Sequence, residues 1–135
     1  MKHNGKTYFI SSHSKHNTFS QNLDNDVKLL SKLRKLGYEA VMCTKCYKGH
    51  IEFSYMVNNN TLLTELEVLD LAKEFNQDSI LCVYGINQTA EFIYTNGKRN
   101  IAGKMVNIGG KDGITTEPLA GRDYTYYNEE YYIIK

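Results

Sequence analysis

Between Leu23 and Val57 the apolar residues of this chain change period. Leu23, Val27, Leu30, Leu33 and Leu36 recur at steps of four and three, which is the spacing of one helix face. Ile51, Phe53, Tyr55 and Val57 then alternate with His50, Glu52, Ser54 and Met56, which is the spacing of a strand with a buried face and a polar face. A helical stripe and a strand face lying so close in the chain must share a core, so helix has to layer on sheet.

The remaining elements fit the same plan. Residues 7–12 form a short apolar run that reads as a first strand, and the polar stretch 13–21 reads as a loop before the leucine stripe. Gly37 stands where a helix ends, residues 38–44 read as a strand, and residues 45–49 as the turn leading to His50. Asn58, Asn59 and Asn60 break that second strand of the hairpin. Thr64 to Glu67 carry a capping-box pattern, with Leu66, Leu69, Ala72 and Phe75 at helical spacing after it. Residues 79–85 are a continuous apolar run, the mark of a central strand. Residues 90–95 and 98–108 flank Asn96-Gly97, a type I′ hairpin signal, and residues 123–134 form a last strand. The order β-α-β-β-α-β plus a hairpin and a C-terminal strand predicts an α+β fold. It is a ferredoxin-like antiparallel sheet with two helices on one face and extra C-terminal strands. Its second face needs a cover, and a partner subunit, met by the five tyrosines among the last twelve residues, is the expected one.

At 135 residues the chain is expected to be a single domain, 1–135, and 16 Lys plus Arg against 15 Asp plus Glu leave a net charge of +1. That balance disfavours both a basic nucleic-acid binder and an acidic nucleic-acid mimic. No window approaches the roughly 18 apolar residues of a membrane span, and with so polar an opening no secretory leader is expected. Cys43, Cys46 and Cys82 make an odd count, which points to free thiols in a reducing cytoplasm. The Cys43–Cys46 pair closes a strand instead of opening a helix, and lacks the second pair of a zinc site. His3, His13 and His16 read as solvated surface, and the glycine loop 109–113 lacks the spacing of a P-loop. Neither a metal nor a cofactor is expected.

The hairpin 46–54 carries the strongest site candidate. Glu52 faces away from Ile51 and Phe53, with Tyr47 close by in the turn. A carboxylate beside an aromatic ring suits a small cationic ligand. The same spacing is equally consistent with a solvent-facing Glu52 and an ordinary turn tyrosine.

Several segments in order resemble the small phage-encoded S-adenosylmethionine-degrading enzymes, long called hydrolases and better regarded as lyases. They are Lys32-Leu33-Arg34, Thr44-Lys45-Cys46-Tyr47-Lys48, Leu69-Asp70-Leu71-Ala72-Lys73, Asn76-Gln77-Asp78-Ser79-Ile80-Leu81-Cys82-Val83-Tyr84, Phe92-Ile93-Tyr94-Thr95-Asn96-Gly97-Lys98 and Glu117-Pro118-Leu119-Ala120-Gly121. The resemblance implies that the substrate's own carboxylate attacks its γ-carbon and expels 5′-methylthioadenosine, leaving L-homoserine lactone. Neither metal nor cofactor takes part, and the cellular role implied is phage anti-restriction in the host cytoplasm. It also implies a homotrimer related to PII-like proteins, with active sites between subunits. Tyr47 and Glu52 match the catalytic tyrosine and acid, and Gln77 a ligand of the adenine or the methionine part. Ser54 and Tyr94 complete the substrate-binding set. Two other readings compete: a non-enzymatic PII-like sensor of adenine nucleotides, and a phage protein that inhibits a host enzyme through its surface.

Overall fold

The first helix begins four residues before its leucine stripe. In the computed structural model, which describes residues 5–59 and 62–135, Thr18 caps α1 (Phe19–Lys35): its hydroxyl accepts from the Gln21 N–H while the Gln21 side chain accepts from the Thr18 N–H. The stretch 13–21 is therefore loop only as far as Thr18. At the other end Gly37, at φ 89°, turns the chain, and the Tyr38 N–H reaches back to the Leu33 carbonyl. The buried face is Asn22, Asp26, Leu29 and Leu33, and Leu23 and Val27 lie outward, 41% and 70% exposed. The apolar stripe is wider than the contact it makes.

The other elements are β1 (Lys6–Ser11), β2 (Ala40–Tyr47), β3 (His50–Asn59), α2 (Leu62–Glu74), β4 (Ser79–Tyr84), β5 (Thr89–Tyr94), β6 (Arg99–Gly109), β7 (Tyr124–Tyr127) and β8 (Glu130–Ile134). The turn expected over residues 45–49 is only Lys48-Gly49, both at positive φ, so β2 runs on through Lys45 to Tyr47. Helix α2 starts before the pattern at Thr64 and buries Thr64, Glu65, Val68, Leu71 and Ala72, while Leu66 is exposed. The final stretch is a hairpin, with Asn128 and Glu129 at positive φ between β7 and β8. Asn60 and His3 lie outside the described residues.

The sheet is not the open ferredoxin-like layer that the element order predicts. It is a closed antiparallel barrel in the order β1-β3-β2-β7-β8-β6-β5-β4. The β5–β6 hairpin extends the β4 edge, β7 pairs with the β2 edge, and the β6–β8 ladder joins the two. Closure removes the unpaired edges. It also supplies the missing cover, because the face left for a partner subunit is the barrel's own interior. Phe9, Cys43, Met56, Leu81, Val83, Ala90 and Met105 pack there, with Tyr127, Tyr132 and Ile134 from the C-terminal hairpin. The outer face of β1, β3 and β4 packs under the helices through Tyr8, Ile10, Tyr55, Val57, Ile80 and Cys82 against Leu29, Leu33, Val68 and Ala72. Each such fully buried aliphatic side chain contributes about 1.5–3 kcal/mol. Gly103 lets β6 pass the chain end, since a Cβ there would collide with the Lys135 carbonyl. Among the described residues no helix is long and apolar enough to cross a membrane.

Candidate active site

Register explains how the polar residues of the β2–β3 hairpin come to share one face. A two-residue turn with positive φ at both positions fits the right-handed twist of the flanking strands and fixes their pairing. The pairs are Cys43 with Ser54, Lys45 with Glu52 and Tyr47 with His50. Cys43, Ser54 and Met56 are buried inside the barrel, so alternation puts Lys45 and Glu52 on the inner face one step nearer its mouth. On the other side of Lys45 stands buried Thr125 of β7, and Ser11 of β1 faces Ser54. The turn is tied down by the Lys48 N–H, which donates to Asp123 Oδ1 at 2.8 Å.

Burial sets the electrostatics of this mouth. It raises the Glu52 carboxyl above its ordinary value, against the pull of Lys45, His13 and His50. It lowers the Lys45 ammonium, against Cys43, Glu52 and Asp123. The Cys43 thiol is pushed up to about 11, again by burial first. Lys45 Nζ lies 5.7 Å from the centroid of the Phe9 ring. Among the described residues, no hydrogen bond or ion pair ties down the Glu52 carboxylate. His50 Nε2 is buried and has no hydrogen-bond partner among the described residues.

A second group, unforeseen from the sequence, adjoins this one. His13, expected on the surface, is largely buried: its Nε2 lies 2.7 Å from Asp26 Oδ2, and its ring meets Phe53 edge-on at 5.7 Å. Ser12 Oγ donates to the other oxygen of Asp26 at 3.0 Å. Gln77 Nε2 donates to the His13 carbonyl at 2.9 Å and to the Phe75 carbonyl at 3.3 Å, pinning the end of α2 to the β1–α1 loop. The missed signal was Asp26, a carboxylate on the face that also carries Leu29 and Leu33, which needs a partner once buried.

The expected site residues are thus distributed unequally. Glu52 and Ser54 share the inner face, and Gln77 reaches their neighbourhood through His13. Tyr47 projects at the hairpin tip, 48% exposed, with Lys48 Nζ 5.3 Å from its ring centroid. Tyr94 stands three strands away on β5, opposite Ser79 and 6.5 Å from the Phe92 ring. Cys43 and Cys46 are three residues apart on one strand and so face opposite sides, which denies them a shared metal or a disulfide. The described residues contain no cluster of three or more His, Cys, Asp or Glu suited to a metal ion.

Compared with protein families, the chain matches the family model described as the S-adenosylmethionine lyase family over residues 8–135. No curated protein matches it.

Proposed function

Since the chain belongs to the S-adenosylmethionine lyase family and is an enzyme that cleaves S-adenosylmethionine, we propose that it yields 5′-methylthioadenosine and L-homoserine lactone at the mouth of the barrel. The observation that carries this reading is Glu52, a partly buried carboxylate that no hydrogen bond or ion pair satisfies among the described residues. An anion held this way calls for a cation from outside. The substrate offers two, an ammonium and a sulfonium.

Chemistry chooses between them. In the proposed step a carboxylate oxygen forms a bond to the γ-carbon as the carbon–sulfur bond breaks, and the electron pair leaves on sulfur. The sulfonium charge disappears in that step, so a carboxylate held against it would favour the ground state. The ammonium keeps its charge throughout, and Glu52 is assigned to it. Tyr47 supplies a ring face at the rim for the cationic sulfur, a contact that serves binding and is released as the charge disappears. Ser54 lies deeper on the Glu52 face, and Tyr94 and Gln77 take the adenine side, Gln77 by holding the His13 loop. No nucleophile from the protein is needed. Folding the substrate into attack geometry can supply up to roughly 7–11 kcal/mol of the barrier.

The active assembly is a homotrimer with its sites between subunits, working in the host cytoplasm against restriction systems that need the substrate. Support for contact between copies lies in the apolar groove between α1 and the β2–β3 hairpin, lined by Leu23, Val27, Met42 and Phe53. Asp26 and Phe53 belong both to this groove and to the His13 group, which puts the groove next to the site. Free thiols at Cys43, Cys46 and Cys82 suit a reducing compartment.

The test is direct. Purified protein incubated with S-adenosylmethionine and resolved by chromatography with mass detection should give methylthioadenosine and homoserine lactone. Methylthioadenosine with homoserine from the first time point, carrying oxygen from labelled water in place of a lactone, would replace the intramolecular step with hydrolysis.

A further inference from the structure

An α-amino acid head group presents a cation and an anion a few ångströms apart, and Glu52 answers only the cation. We propose that Lys45, directly opposite Glu52 on the neighbouring strand, binds the substrate's α-carboxylate, so that the two side chains clamp the zwitterionic head between them. The proposal rests on the lyase reading above and adds to it a binding residue and the substrate group it holds.

Directly opposed side chains on antiparallel strands have Cβ atoms roughly 4.5–5.5 Å apart, close enough for a lysine and a glutamate to close on each other. Here they do not, since among the described residues no ion pair joins Lys45 to Glu52. The ammonium lies instead toward the Phe9 ring on β1, at 5.7 Å from its centroid. Two opposite charges are thereby held on the inner face, within Coulombic reach of each other but not closed into an ion pair. His50, two residues before Glu52 and on the same face, adds a buried Nε2 with no hydrogen-bond partner among the described residues. A carboxylate oxygen arriving beside Lys45 and an ammonium beside Glu52 satisfy both charges at once.

The kinetic consequence follows from the charge balance. The carboxylate loses its charge as its oxygen closes the lactone ring, so the bond to Lys45 is stronger in the ground state than in the transition state. Lys45 therefore acts on substrate binding more than on the chemical step.

Lys45→Met and Lys45→Arg test this, with thermal melts to establish that both fold. The ligands for calorimetry are S-adenosylhomocysteine, which has the whole head group, and decarboxylated S-adenosylmethionine, which lacks only the carboxylate and cannot cyclise. Lys45→Met should weaken S-adenosylhomocysteine roughly tenfold or more and leave the decarboxylated ligand within about twofold, with Lys45→Arg restoring part of the loss. In turnover the methionine variant should show the change in KM rather than kcat. Equal weakening of both ligands, or a fall in kcat at constant KM, overturns the clamp. If the wild type binds S-adenosylhomocysteine with the expected Lys45 dependence but turns over nothing, the lyase reading fails and the clamp stands. A wild type that binds neither ligand overturns both.

Discussion

Arg99, at the start of β6, grips Glu65 in the first turn of α2 with both terminal nitrogens, Nη1 to Oε2 at 3.0 Å and Nη2 to Oε1 at 3.2 Å. The same guanidinium reaches Glu91 on β5 at 2.8 Å, and Glu91 accepts a further bond from the Tyr84 hydroxyl at 2.6 Å. Glu65 in turn lies beside the Tyr8 hydroxyl on β1. One arginine thus fastens the second helix to three strands of the barrel.

Replacing Arg99 with Leu leaves two largely buried carboxylates without their partner. Breaking a buried pair costs about 3–5 kcal/mol; with Arg99 39% exposed, solvent screening reduces the expected loss to about 2 kcal/mol. The pH dependence gives a second readout. Arg99's hydrogen bonds hold the Glu91 carboxyl below its ordinary value of 4.5, so this stabilisation is present above about 4.5 and is lost as pH falls through the lower folded value. Thermal melts from pH 7 to 3 should show a steeper acid loss in the wild type than in Arg99→Leu.

Glu52→Gln should abolish turnover and raise the melting temperature. The Glu52 carboxyl lies above its ordinary value because burial disfavours its charge, so the ionised group costs stability at neutral pH. That cost disappears as pH falls below the folded value, and the stability gap between variant and wild type should close on acidification. A variant that is both inactive and less stable at pH 7 would contradict this account of the site.

What the sequence made legible follows from the range of the interactions. The polar face of β3 was readable because alternation over residues 50–57 is local, and Glu52 was found that way. Lys45 was missed because residues 45–49 read as a five-residue turn, whereas the backbone turns in two residues and carries β2 on to Tyr47. Barrel closure had no local signature. It depends on pairs such as Lys45 with Thr125 and Met105 with Ile134, and the first of these joins residues 80 positions apart. Arg99 and Glu65, 34 residues apart, look like two ordinary surface charges until the sheet curls and brings β6 beside α2. The tyrosines of the tail looked like a subunit contact for the same reason. Within the chain Tyr127 and Tyr132 pack toward the barrel interior, and Tyr124 and Tyr126 pack on Tyr131.

Tyr47 offers a ring face at the rim, and its contribution should vanish with the ring. A cation–π contact of about 0.5–2 kcal/mol, made to the sulfonium only before its charge disappears, corresponds to a loss of substrate affinity, read in KM, of about 2- to 30-fold for Tyr47→Ala, with Tyr47→Phe close to wild type. The exposure of Tyr47 predicts a stability change within about 0.5 kcal/mol in either variant. If Tyr47→Phe falls as far as Tyr47→Ala, the hydroxyl rather than the ring contacts the substrate.

Gln77→Ala removes the amide that holds the His13 carbonyl and the end of α2 together. The expected loss is about 1 kcal/mol of stability for a neutral hydrogen bond, with a rise in KM as the His13 loop loosens. Gln77→Glu discriminates between the roles. It keeps an acceptor but removes both amide donors, so a positioning role predicts that it behaves like the alanine variant in both the melt and KM. A direct contact to the adenine would move KM alone.

The groove beside α1 should govern assembly. Val27 is 70% exposed and Leu23 41% exposed, and both border the groove lined by Met42 and Phe53. Apolar surface clustered this way is what a contact between copies buries, and a carboxylate placed in it would be desolvated on assembly. Val27→Asp should therefore shift the protein from trimer to monomer in size-exclusion chromatography with light scattering, while the monomer's melt stays within about 0.5 kcal/mol, because Val27 is 70% exposed within its own chain. With sites between subunits, turnover should fall with the trimer and recover as protein concentration drives reassociation. A Val27→Asp protein that stays trimeric would place the subunit contact on another face, and a fully active monomer would make each barrel mouth a complete site.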